Sequence, residues 1–299
     1  MRKVVPILIT WDIDPTPETT IENKKQALEL ITLLLKDLQM NCTFLFHANI
    51  ANRLENEILL LIKSGHEIGC HGLTHGSEEE YDKMPEDLQR TYLNKATDIL
   101  KNITNRPIKT FRGPRVKTSH ITDKILEELG YTADCSVGSQ RIDFVSSNLI
   151  NVGWIFAPRL PYHPSKDNVF KRGEQKIWVI PVSAIALPFI SSTLYAFKLK
   201  FMKYFFDILY KESLRTGKPI VYLAHPSEFA PQTIKIEKKG FSFGRIKTHG
   251  FSFRSRFYEK DVQKKFKMNK DLFIYMKTHP NIQFMSVSDY VSNILAQRG

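Results

Sequence analysis

Cysteine is scarce in this 299-residue chain. The three present, Cys42, Cys70 and Cys135, are odd in number and lack paired spacing. That excludes a disulfide framework and fits a reducing compartment. Cys70 reads as a small buried hydrophobe. No apolar run reaches the roughly 18 residues that a spanning helix needs. No RNA- or DNA-binding signature accompanies the net charge of +12, so nucleic acid is not an expected partner. Lys and Arg are instead spread along the chain, as solvated helix faces in anionic surroundings would be. The basic start Met1-Arg2-Lys3 mimics a secretion signal. The apolar part after it is short and runs straight into Asp12 and Asp14, so it reads as a strand. The expected location is therefore cytoplasmic, at or near the inner face of the membrane.

What is present is a rhythm of strand, loop and helix. Apolar or β-branched runs of strand length occur at 4–11, 42–46, 67–71, 109–112, 132–136, 219–225 and 282–285. Between them, 22–38 carries Ala27, Leu30, Ile31, Leu34, Leu35 and Leu38 on one stripe, and 86–101 and 118–129 behave alike. Pro85 or Asp87 at a start and Gly130 at an end are suitable boundaries. Seven strands alternating with helices imply a parallel sheet, most simply an incomplete TIM-like barrel of α/β class. The expectation is one catalytic domain over 1–299, with an irregular aromatic and basic insertion around 137–218 and a loop insertion around 230–260. Within the first insertion, 184–210 mixes Leu, Phe and Tyr with Lys198, Lys200 and Lys203. It reads either as a barrel-wall helix or as a basic amphipathic helix on anionic lipid. The second insertion holds a near-repeat, Gly240-Phe241-Ser242-Phe243 and Gly250-Phe251-Ser252-Phe253, whose role the sequence leaves open.

In a barrel of this kind catalytic groups gather at the C-terminal ends of the strands. Asp12, Asp14, His71, Arg112, Ser136 and His225 all fall at such ends or just past them. His71 and His75 form an H-x-x-x-H pair, which alone is weak evidence. Its weight comes from its place in an ordered set: Thr10-Trp11-Asp12-Ile13-Asp14, His71-Gly72-Leu73-Thr74-His75, Phe111-Arg112-Gly113-Pro114, the segment Gly130 to Ser136, and Leu223-Ala224-His225-Pro226.

In that order these motifs resemble those of the polysaccharide deacetylase family, the NodB-homology metal-dependent carbohydrate N-deacetylases. The resemblance covers about 4–136 and 181–295. It implies an irregular (β/α)₇ barrel and a divalent metal, Zn²⁺ first, with Co²⁺, Ni²⁺ or Fe²⁺ as alternatives. Asp14, His71 and His75 would supply the metal with one oxygen and two nitrogens, leaving coordination sites open. Asp12 would act as general base toward water, and Arg112 would orient Asp12 and keep it ionised. His225 would protonate the departing amine. The backbone N–H of Arg115, after Pro114, would face the oxyanion. Which Asp is base and which is ligand follows from the family's variant with a spaced acid pair.

Two departures from the family pattern stand out. Gly72 replaces the usual Ser or Thr, and Arg115 the usual Tyr. Arg115, Pro114 and Ser136 are expected at the substrate, with Arg115 favouring an anionic sugar. The expected function is removal of an N-acyl group, N-acetyl first, from an amino sugar in a glycan or lipid-linked saccharide. Deformylation, cyclic imide or ureide hydrolysis, and a catalytically inactive glycan-binding barrel are the alternatives.

Overall fold

In a computed structural model the chain forms a curled parallel sheet wrapped by helices. Residues 4–16, 19–140, 152–231 and 258–297 are described. The near-repeat of Gly-Phe-Ser-Phe lies outside them.

The strands are β1 (Val5–Ile13), β2 (Thr43–Phe46), β3 (Glu67–Cys70), β4 (Thr110–Phe111), β5 (Ala133–Asp134), β6 (Trp178–Val179), β7 (Ile220–Ala224) and β8 (Ile282–Phe284). The sheet order is β8-β1-β2-β3-β4-β5-β6, with β7 also paired to β1, and every pairing is parallel. Ser183 bridges the gap between β6 and β7. Its N–H donates to the Val221 carbonyl at 3.2 Å, and its hydroxyl accepts from the Val221 N–H at 3.0 Å.

The main helices are α1 (Ile21–Asp37), α2 (Glu55–Lys63), α3 (Glu86–Thr104), α4 (His120–Glu128), α5 (Ser191–Thr216) and α6 (Val262–Lys277). Their ends follow local chemistry. Thr20 caps α1 and Ser119 caps α4 through side-chain oxygens, while α3 stops at Asn105 and α5 at Gly217, both left-handed. β1 is buried along its whole length, as a strand covered on both faces must be, and Trp11 packs against Phe44, Phe229 and Phe273.

The aromatic span 184–210 is mostly wall. A short hairpin pairs Ala184–Ile185 with Leu187–Pro188, and the helix begins only at Ser191. α5 then buries Leu194, Tyr195, Met202, Phe205, Phe206 and Leu209. It kinks at Lys198, which has a φ of 69°. Phe197, Tyr204 and Ile208 remain exposed. No helix among the described residues is long and apolar enough to cross a membrane.

Candidate metal and hydrolase site

Strand register builds the site. Ile13 is level with Phe46, Phe46 with Cys70, and Cys70 with Phe111. The residues that follow, Asp14, His47, His71 and Arg112, therefore leave four adjacent strands at the same height. On the other side of β1, Trp11 is level with Ala224, which brings Asp12 and His225 to one height.

One carboxylate stands among four imidazoles. Asp14 Oδ1 lies 3.3 Å from His71 Nε2, 3.4 Å from His47 Nε2 and 4.0 Å from His75 Nε2. Its other oxygen lies 3.8 Å from His225 Nε2. Asp14, His47 and His71 each offer an atom within 4.8 Å of the others. His71 Nδ1 is bonded to the Arg112 carbonyl at 2.6 Å; donating that proton leaves Nε2 with its lone pair toward Asp14. Asp14 Oδ1 and both ring nitrogens of His47 are buried without a hydrogen-bond partner. Buried polar atoms normally find partners, so the orphans on Asp14 and His47, which leave adjacent strands, are what a bound cation would satisfy. The donor set of one carboxylate and two imidazoles suits Zn²⁺ or a neighbouring divalent metal.

The charge balance suits a cation at Asp14 and His47; at His71 burial lowers the ring, but Asp12 and Asp14 outweigh it and raise it, so ligation there means shedding a proton. Burial raises the Asp14 carboxyl, but the close rings of His47 and His71 and the charges of His225 and His71 outweigh it and hold the carboxyl well below its ordinary range. Burial, with His71 beside it, pushes His47 down to about 4, so its ring is neutral near pH 7 and able to ligate. Burial also lowers His75. Burial lowers His225, yet Glu228 and the Asp14 and Asp12 charges carry it up to about 9.

Asp12 faces the cluster from within β1, its Oδ2 3.7 Å from His71 Nε2. Arg112 is wholly buried and holds it: Nη1 donates to Asp12 Oδ1 at 2.7 Å and to Thr10 Oγ1 at 3.0 Å, and Nε donates to the Cys135 carbonyl at 3.0 Å. A buried guanidinium tied at three points fixes the carboxylate's direction.

The loop that carries His71 and His75 is tied to a residue the sequence reading passed over. Glu79, fully buried, accepts the N–H groups of Leu73, Thr74 and His75 at 2.6, 2.6 and 2.8 Å, together with the hydroxyls of Thr74 and Tyr81. This explains the glycine at 72. Its φ is +84°, and a Cβ there would meet Glu79 Oε1 at 2.6 Å and the Pro114 ring at about 3 Å. The brace that a Ser or Thr would supply comes instead from Glu79.

Backbone strain gathers at the same mouth: His75, Arg115 and the β-branched Val116 have φ near +60°. Arg115 turns its guanidinium onto the carbonyls of His75, at 2.9 Å, and Gly76, at 3.2 Å, so it clamps the metal loop. Ser136 is bonded into the same turn. It is fully buried, accepts the Gly113 N–H at 2.8 Å and donates to Asp134. It supports the Arg112–Arg115 turn, and Pro114 is buried against Gly72.

The structure thus brings together Asp12, Asp14, His71, Arg112 and His225, with His75 at the rim. It adds three residues absent from the sequence-derived set: His47, Glu79 and Glu228. His47 had a readable signal, since it follows β2 as His71 follows β3. Glu228 follows three residues after His225 in the segment His225-Pro226-Ser227-Glu228-Phe229, whereas Glu79 had no signal, because its role depends on loop shape.

Residues 3–133 match the polysaccharide deacetylase family. A Mycobacterium smegmatis structure named with the polysaccharide deacetylases superposes with a TM-score of 0.66 at 14% identity, covering 100% of this chain and 92% of that one. PuuE allantoinase superposes at 0.60 and 16%, and a Pseudomonas aeruginosa PAO1 structure also named for polysaccharide deacetylase at 0.60 and 14%. In both pairs 98% of this chain and 92% of the other are covered. At such identities these likenesses speak for the barrel fold alone. No curated protein matches the chain. The matched residues 3–133 hold the spaced acid pair, the histidine loop and the Arg-Gly-Pro turn, so the likeness to the polysaccharide deacetylase family falls on the part of the chain that supplies most of the site.

Proposed function

We propose that the chain is a metal-dependent hydrolase that removes an N-acyl group, N-acetyl first, from an amino sugar in a glycan or lipid-linked saccharide. The observation that carries this reading is the level placement of Asp14, His47 and His71, whose ligand atoms converge and are orphaned on Asp14 and His47, with the Arg112-held Asp12 and His225 beside them.

Asp14, His47 and His71 would hold the metal, with His75 at 4.0 Å from Asp14 as a fourth candidate. A metal bound there would polarise the acyl carbonyl and make water more acidic. Asp12, oriented by Arg112, takes a proton from the attacking water. His225 stands on the far side of Asp14, where it can give a proton to the departing nitrogen, since an amine is a poor leaving group unprotonated. The Arg115 N–H, in the strained turn after Pro114, would face the developing oxyanion. The Arg115 side chain, occupied with the His75 loop, would reach an anionic substrate only by leaving those carbonyls.

Peripheral contact with anionic lipid would use the exposed side of α5, where Phe197, Tyr204 and Ile208 alternate with Lys198 and Lys200. Cosedimentation with anionic liposomes at low salt is expected to detect it, and its absence there removes this part of the reading.

The test is metal content by mass spectrometry on purified protein, followed by acetate release from N-acetylated amino sugars. Wild type should carry near-stoichiometric metal, lost in His47→Ala and in His71→Ala and reduced in His75→Ala. A protein that takes up neither Zn²⁺ nor Co²⁺ on reloading overturns the hydrolase mechanism.

A further inference from the structure

Beyond the cluster around Asp14, a second constellation converges on His225 from elements far apart in sequence. His225 ends β7 and is followed by a 3₁₀ turn, Pro226–Phe229. Within that turn, Glu228 Oε1 lies 3.5 Å from His225 Nδ1, on the side of the ring away from Asp14. Glu228 is itself anchored. Ser191, the first residue of α5, donates its hydroxyl to Oε1 at 2.8 Å, and Tyr195, one turn later, donates to Oε2 at 2.9 Å. The Tyr195 oxygen in turn accepts from Asn269 Nδ2 of α6 at 2.8 Å, and Asn269 Oδ1 accepts the Tyr222 hydroxyl of β7 at 2.7 Å. Tyr195, Tyr222 and Asn269 are fully buried. Lys265 of α6, also buried, adds a positive charge within electrostatic reach of Glu228.

We propose that Glu228 is the positioning residue of His225: held by Ser191 and Tyr195, it accepts the Nδ1 proton and so points the Nε2 proton of His225 at the leaving nitrogen. The inference rests on the hydrolase reading above and deepens it. An imidazole whose Nδ1–H is bonded to a carboxylate is fixed in ring rotation and in tautomer. The step balances as hydrolysis. Water adds its oxygen to the acyl carbon and gives one proton to Asp12. The C–N bond breaks with its electron pair on nitrogen, and that nitrogen takes the Nε2 proton of His225. The products are a carboxylic acid and an amine, and exchange with solvent resets Asp12 and His225. Glu228 neither gains nor loses a proton.

A carboxylate that merely caps the 3₁₀ turn would show the same contacts, so the test needs a readout that such a cap would not move. The metal-loaded wild type, Glu228→Gln and Glu228→Asp are compared on two substrates. One is an N-acetylated chitooligosaccharide, whose amine must be protonated to leave. The other is 4-nitrophenyl acetate, whose phenolate leaves without a proton. Glu228→Gln is expected to lower the amide-to-ester rate ratio about 100-fold, the low end of a general-acid contribution, through kcat with KM nearly constant. Glu228→Asp should recover part of that loss. An equal fall on both substrates, or none on the amide, overturns the proposal.

Nitrogen NMR of His225 supplies a readout independent of substrate. In wild type Nδ1 should carry a hydrogen-bonded proton that Glu228→Gln displaces, and identical spectra would also overturn the proposal. If no N-acylated sugar is turned over, the hydrolase reading fails while the NMR comparison still decides the role of Glu228. Should Glu228→Gln fail to fold, Ser191→Ala and Tyr195→Phe each remove one anchor and should lower the same ratio by smaller factors.

Discussion

Glu79→Gln separates an electrostatic account of the metal loop from a purely steric one, because it preserves shape and removes charge. In wild type, Oε1 accepts the Leu73 N–H at 2.6 Å and the Tyr81 hydroxyl at 2.8 Å. Oε2 accepts the N–H groups of Thr74 and His75 and the Thr74 hydroxyl. A glutamine must present its NH₂ to one of these sides. The less costly choice faces Leu73 and Tyr81, since Tyr81 can turn to accept while only the Leu73 N–H is orphaned. An orphaned buried donor costs about 1–3 kcal/mol, and the remaining bonds lose their charge assistance, so the expected loss is about 2–4 kcal/mol.

Urea unfolding would read that loss, and amide exchange at Leu73, Thr74 and His75 would localise it. The acid limb offers an independent check. Burial raises the Glu79 carboxyl, but the three backbone donors and Tyr81 outweigh it and hold it below its ordinary 4.5. Its contribution is therefore complete above that value and lost as pH falls through the folded-state value. Glu79→Gln should lack this component and be less stable at every pH above it. A variant within about 0.5 kcal/mol of wild type, with unchanged exchange at the three amides, would refute the claim that this carboxylate organises the loop.

Two further titrations have opposite signs. His66, packed on Phe44 and 5% exposed, is pushed by burial from 6.5 down to about 4. The unfolded chain takes up its proton first, so the stability present above pH 6.5 should fall by about 3 kcal/mol on acidification toward 4, and a stability–pH profile of His66→Phe should lack that fall. Asp123 and Asp134 are buried together. Burial raises both, and Asp134's charge raises Asp123 further, well above 3.8. This pair should share a proton, so stability should decline as pH rises from the unfolded-state value toward the folded one. Asp123→Asn keeps a neutral donor beside Asp134 and should match wild type near pH 4 and exceed it near pH 8 in thermal melts; a lower melting temperature at both would rule out proton sharing.

What was legible in the sequence was whatever one strand could announce alone. The seven apolar runs became β1 to β5, β7 and β8, and the residues at their ends became the site, because a parallel register brings strand ends to one height. β6 escaped notice because two residues, Trp178 and Val179, carry no period. The helix expected from 184 begins at Ser191 because the segment before it folds into a hairpin, with Ala186 at a φ of 57° and Pro188 in the second strand. His47 shows the limit most clearly. H-x-x-x-H is a relation along the chain, whereas His47 meets His71 across the sheet, ring centroids 4.4 Å apart, because Phe46 is paired with Cys70. Glu79 and Glu228 lie further still from sequence logic. Each acts by accepting donors that a turn has already aimed, and neither turn is visible until the strands that carry His71 and His225 are in register. Asp14 and His71 can thus be read from motifs, while His47 and the groups that hold the ligands in place are written in the geometry between motifs. Substitutions at Glu79 and Glu228 are where a motif-based account and a structural one predict different outcomes.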